Sequence, residues 1–195
     1  MHKHLRYGVL ENLSQVRRVR LGQLWGVALL ATPIAWLSPV VFFALHFLLN
    51  LLNTQLTLNQ RLAQSLLFTL VVELASAIHA LGHIISGKLV GSAMDALLIT
   101  ATRYVNVYEG DQTGFPSRIH IARAAGGPLL NLLAAGIAYT VAGSNGSAFA
   151  TRFIAINLFF GLGGLLPLPS IDGGVIWREV WRLVMDDGRR TTDDR

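Results

Sequence analysis

Residues 62–89 read Leu62-Ala-Gln-Ser-Leu-Leu-Phe-Thr-Leu-Val-Val-Glu73-Leu-Ala-Ser-Ala-Ile-His79-Ala-Leu-Gly-His83-Ile-Ile-Ser-Gly-Lys88-Leu89. The run is longer than the roughly 20 residues a helix needs to cross bilayer hydrocarbon. Before Lys88 it carries a single charge, Glu73, and two histidines four positions apart. On a helix that spacing puts both imidazoles on one face, about 6 Å apart, a separation at which two nitrogens can share one tetrahedral zinc ion. The spacing alone fits equally well two histidines hydrogen-bonded to neighbouring helices. Polar side chains at membrane depth are costly and usually functional, which favours the ligand reading.

Working outward, three more apolar stretches predict further spans: residues 24–52, 121–142 and 148–168. The first contains Pro33 and Pro39, so it is one kinked span or a span plus a shorter segment. The chain of 195 residues is 52% hydrophobic and 14% charged, against about 25% charged in soluble domains, and its mean hydropathy is +0.49. Lys and Arg alternate between segments: five in the N-terminal tail, four between the second and third stretches and five in the C-terminal tail, with one in each remaining loop. The positive-inside rule then places both termini in the cytoplasm. The net charge of +5 is explained by this topology, so no nucleic-acid partner is expected and the lipid bilayer is. Without cysteine there are no disulfides and no thiolate metal site.

Residues 1–21 put Leu5, Val9, Leu13 and Val16 on one face and Arg6, Arg17, Arg18 and Arg20 elsewhere, the pattern of a surface helix or of a frayed basic tail. The apolar run that follows is too long for a signal peptide. Between residues 91 and 118, Ala96-Leu-Leu-Ile and Tyr104-Val-Asn-Val-Tyr predict a strand pair at the cytoplasmic surface, with turns at Glu109-Gly-Asp and Gly114-Phe-Pro. After Gly174 an amphipathic run predicts an interfacial helix anchored by Trp177 and Trp181, with Arg178, Glu179 and Arg182 opposite. The expected fold is an all-α membrane protein of about four transmembrane helices, with a small cytoplasmic-side β-hairpin and flanking interfacial helices. Its parts are a basic segment 1–21, a single membrane-embedded core 22–185 and a charged, disordered tail 186–195.

An open zinc site needs a third protein ligand, and Asp172 is the candidate. It follows Pro167 and Pro169, which break the fourth stretch, and precedes Gly173 and Gly174. Irregular backbone at membrane depth is tolerated where it lines a cavity or packs in protein. On these residues alone Asp172 also reads as the cap of the next helix.

Three segments, His79-Ala-Leu-Gly-His83, Gly126-Gly-Pro-Leu-Leu-Asn131, and Asn157 through Leu165-Leu-Pro-Leu-Pro-Ser-Ile-Asp172-Gly-Gly, resemble the motifs of the site-2 protease family. These are membrane-embedded zinc metallopeptidases, and the motifs stand in the family's order over residues 62–174. The resemblance implies that His79, His83 and Asp172 bind zinc near the cytoplasmic side of a bacterial or archaeal cell membrane. It implies that Asn131 orients substrate or steadies the oxyanion. It also implies that the strand pair offers an edge to an unwound transmembrane segment of a membrane-protein substrate. The charge pattern agrees independently: His83 lies about 7.5 Å before Lys88, whose end faces the cytoplasm.

Two positions depart from the family pattern. Ala80 stands where the family has the glutamate that takes a proton from the attacking water and passes it to the leaving amine. Loss of such a base typically costs a factor of about 10² to 10⁴. Glu73, two turns earlier and about 10.5 Å away along the axis, is the remaining carboxylate on that face, as a remote substitute through a water chain or as a hydrogen-bonded structural acid. Gly164 stands where the family usually has asparagine. The sequence therefore describes either an impaired zinc endopeptidase or a non-catalytic relative, natural or made by Glu→Ala replacement, that binds zinc and membrane segments. A bis-histidine haem protein using His46 would leave Asn131 and Asp172 without a role.

Overall fold

The structure, a computed structural model, describes residues 16–112, 114–143 and 146–193, with side chains up to residue 185. Its element order is β1 (Val19–Leu24), β2 (Val27–Ala31), α1 (Leu37–Leu51), α2 (Leu58–Leu89), β3 (Ala96–Ile99), β4 (Tyr104–Val107), α3 (Ser117–Ala142), α4 (Ala148–Gly164) and α5 (Asp172–Asp193). It is mostly helical, with one small sheet.

That sheet departs from the expected hairpin in having four strands, ordered β1-β2-β3-β4. The apolar stretch 24–52 accordingly divides into a strand and a helix. Trp25 and Gly26 close β1 on β2 with φ of 50° and 85°, the two left-handed residues of a two-residue hairpin turn. β2 then runs parallel to β3, and β3 antiparallel to β4. Pro39 falls in the first turn of α1, where a missing N–H costs nothing. Of the surface helix expected over 1–21, residues 1–15 lie outside the described residues, and Val19–Leu24 is a strand. Continuous hydrophobicity cannot separate a buried strand from a span, and here it hid the boundary.

One face of the sheet packs on the C-terminal half of α2, burying Val27, Met94, Leu97 and Tyr108 against Ala80 and Ile84. α2 begins at a capping box, in which Thr57 Oγ1 accepts from Gln60 N–H and Gln60 Oε1 accepts from Thr57 N–H. α1 packs on α2, and α3 packs on α2, α4 and α5. α2 and α3 meet through glycine: a Cβ on Gly82 would strike the backbone of Gly126, and one on Gly126 would strike Ser86 and the Gly82 carbonyl.

Two of the helices, α2 and α3, are long and apolar enough to cross a membrane; α1 and α4 are shorter apolar helices. Within α5, Glu179 departs from its expected place on a solvated face and is fully buried. It accepts from Arg178 Nε at 3.3 Å and Arg182 Nη1 at 3.2 Å. Burial alone would raise its pKa. The Ser117 hydroxyl at the start of α3, with Arg182 and Arg178, outweighs burial and holds the carboxyl below the usual glutamate range. His120 is likewise buried.

Candidate metal centre

His79 and His83 project from consecutive turns of α2, their ring centroids 4.7 Å apart and planes at 78°. The broken end of α4 brings Asp172 to them. Here Gly173 and Gly174 are required by close approach, since a Cβ on either would overlap the backbone of residues 165–169. This tight reversal makes Asp172 the first residue of α5 and turns its carboxylate toward the two imidazoles. The N-terminal end of a helix also favours an anionic side chain.

Asp172 Oδ2 lies 2.9 Å from His79 Nε2, and Asp172 Oδ1 lies 3.4 Å from His83 Nε2. The three candidate ligand atoms fall within 4.8 Å of one another. The outer nitrogens are held elsewhere: His79 Nδ1 faces Asn131 Oδ1 at 2.7 Å, and His83 Nδ1 faces the Arg123 carbonyl at 2.8 Å. Imidazoles that donate from Nδ1 present an Nε2 lone pair, which is the arrangement of metal-ligating histidines. Space is kept for an ion, because a Cβ on Gly127 would stand 2.5 Å from His83 Nε2 and 2.6 Å from His79 Nε2. Two imidazole nitrogens and one carboxylate, beside a glycine whose Cβ would crowd both nitrogens, fit a divalent metal.

The group opens on a cavity of about 520 Å³, lined by Ser38 and Phe42 of α1, Ala80 of α2, Thr102 of the β3–β4 turn, Tyr104 and Asn106 of β4, and Phe159, Phe160 and Gly164 of α4. β4 is an outer strand of the sheet, and its Tyr104 and Asn106 line this space. Ala80 is 3% exposed and supplies no polar atom. Glu73 is placed further along α2, where Oε1 accepts from Ser38 Oγ at 2.9 Å and the Tyr104 hydroxyl also bonds it. Burial and the Glu73 carboxylate push the Tyr104 phenol above its ordinary pKa, which keeps it a donor. At Gly164 a Cβ would meet Pro128 Cγ at 2.9 Å, so an asparagine there would require Pro128 to move. Asn131 is fully buried, bonded to His79 on one side and to Asn157 at 2.7 Å on the other. The sequence marked Asn157 only as the start of a motif; its contact with Asn131 depends on how α3 and α4 pack. His46 is occupied away from this site, with Nδ1 at 2.9 Å from Asn50 Nδ2 and its ring stacked on Phe68.

The fold has a counterpart among solved structures. The site-2 protease from Methanocaldococcus jannaschii is similar over 84% of this chain and 71% of that one, with a TM-score of 0.57 and 19% sequence identity. The fold is site-2-protease-like. No family model and no curated protein matches the sequence. At this identity the likeness establishes the fold and, together with the two long apolar helices, a membrane protein.

Proposed function

We propose that the chain is an intramembrane zinc metalloendopeptidase-like protein of the site-2 protease type, whose substrates are transmembrane segments of other membrane proteins and whose hydrolysis is impaired by Ala80. The reading rests on one observation above all: two imidazoles and a carboxylate converge, with both outer imidazole nitrogens tied to acceptors. His79, His83 and Asp172 would hold the zinc, which when bound supplies Lewis-acid polarisation of a carbonyl and activation of water. The cavity walls are largely apolar and suit a membrane segment, and the free edge of β4 offers backbone pairing to a stretch of substrate that unwinds. In this reading α1 to α4 are four spans, with both termini in the cytoplasm of a bacterial or archaeal cell. α1 and α4, at 15 and 17 residues, fall short of the roughly 20 needed and complete the crossing with the flanking apolar residues 33–36 and 165–168.

A second reading is favoured by one feature, the burial of Ala80 within an apolar cluster beside the ligands. It describes a pseudoprotease that binds zinc and membrane segments without cutting them. The experiment that separates the two uses an epitope-tagged single-span membrane protein co-expressed with the chain or with Ala80→Glu. Cleavage by Ala80→Glu and none by the parent identifies a protease scaffold lacking its base. Parental cleavage that disappears in Glu73→Gln identifies a replacement base. Metal analysis of the purified chain is expected to give about one zinc, reduced in His79→Ala and in Asp172→Ala. A parent without metal refutes both readings.

A further inference from the structure

We propose that Asn157 and Asn131 form a hydrogen-bond relay from α4 through α3 to α2 that fixes the orientation of His79 and thereby sets the metal affinity of the site. The proposal rests on the metal reading above and gives Asn131 a different task from the one its family resemblance implies. Both asparagines have no exposed surface. A side-chain amide nitrogen carries two hydrogens, and its oxygen only accepts. Asn157 Nδ2 donates to the Phe153 carbonyl at 2.9 Å, which turns Asn157 Oδ1 toward Asn131. Asn131 Nδ2 then donates to that oxygen at 2.7 Å and to the Ala75 carbonyl at 3.0 Å, using both its hydrogens.

The direction of the chain is therefore dictated at its ends by two backbone carbonyls, which can only accept. An amide orientation is decided by such a network. With both Asn131 hydrogens committed, the atom left for His79 is the oxygen, 2.7 Å from Nδ1. His79 therefore donates from Nδ1, which leaves Nε2, on the Asp172 side of the ring, as the nitrogen that would give its lone pair to the metal. Reversing either amide would set donor against donor or acceptor against acceptor inside a sealed site, where unsatisfied polar groups are expensive. Asn131 is a positioning residue: it has no free hydrogen for an oxyanion and no surface on the cavity.

The test titrates the full detergent-solubilised chain with Co²⁺, read by visible absorption, beside thermal unfolding without metal. Asn131→Leu, which has no acceptor, is expected to weaken Co²⁺ binding by about 10- to 100-fold. Asn157→Leu, which frees the Asn131 amide to turn, is expected to weaken it by a smaller factor. Asn131→Asp keeps an oxygen for His79 Nδ1 but loses both donated bonds, so it is expected to hold the parent's affinity while unfolding at a lower temperature. That opposite ranking of affinity and stability is what a merely structural residue would not produce. Equal loss of affinity in Asn131→Asp and Asn131→Leu, or affinity that simply tracks unfolding temperature, overturns the relay. So does unchanged binding in Asn131→Leu when the parent binds. A parent that takes up no Co²⁺ overturns the underlying metal reading itself.

Discussion

Replacing Gly127 with alanine adds one methyl group at the place where the Nε2 atoms of His79 and His83 converge. Its carbon would stand 2.5 Å from His83 Nε2, 2.6 Å from His79 Nε2 and 2.8 Å from His79 Cδ2. An ordinary van der Waals contact begins near 3.4 Å, so the rings or α3 must shift by about 0.9 Å. Sites of this kind tolerate displacements of about 0.5 Å. Overpacking of a tight contact costs about 1–3 kcal/mol, while alanine in a helix interior gains about 1 kcal/mol over glycine. The net cost of about 0–2 kcal/mol leaves a folded chain. Metal affinity, in contrast, should fall by about 100-fold or more, the upper end of what disturbing a ligand's surroundings produces. Metal content after desalting, with Co²⁺ titration and thermal unfolding on the same preparation, reads both quantities. Parent-like affinity in Gly127→Ala would show that the methyl and the ion do not compete for one space, and the inferred geometry of the centre would fail.

Two further outcomes follow from the packing and the charges. Gly82→Ala places a Cβ into the Gly126 backbone, where no flexible atom can give way; separation of α2 from α3 should cost several degrees in unfolding temperature and loosen metal binding, and unchanged values for both would refute the close approach. Glu179→Gln removes the carboxylate that meets Ser117, Arg178 and Arg182. Because the folded-state pKa of Glu179 is depressed, its contribution is present at neutral pH and fades as pH falls below the ordinary glutamate value of about 4.3. The stability gap between parent and variant should therefore close on acidification, and a gap that widens would reverse the assignment.

The long helix α2 was legible because its apolar run and its polar exceptions, His79 and His83, share one helical period. The strands β3 and β4 were legible because short runs carrying apolar, β-branched and aromatic residues stand beside turn signals. β1 and β2 were not. Val27–Ala31 is as apolar as the helix that follows, and the Trp25-Gly26 turn requires a left-handed tryptophan, which no local preference announces. Glu179 misled for the opposite reason: a charged residue between two arginines reads as solvated until a second helix, here α3, supplies Ser117 beside it.

For the site itself, the sequence determined which atoms are available: two imidazoles one helical turn apart, a carboxylate between a proline-broken helix and two glycines, and no carboxylate at position 80. Those facts are local and follow from residue order alone. Only the tertiary structure decided that Asp172 reaches both rings, that Gly127 keeps the space between them open, and that a chain of amides beginning at Asn157 turns His79 the right way. Such contacts join residues 26, 52 and 93 positions apart. Their geometry depends on how closely four helices approach, and spacing along the chain carries no record of that distance.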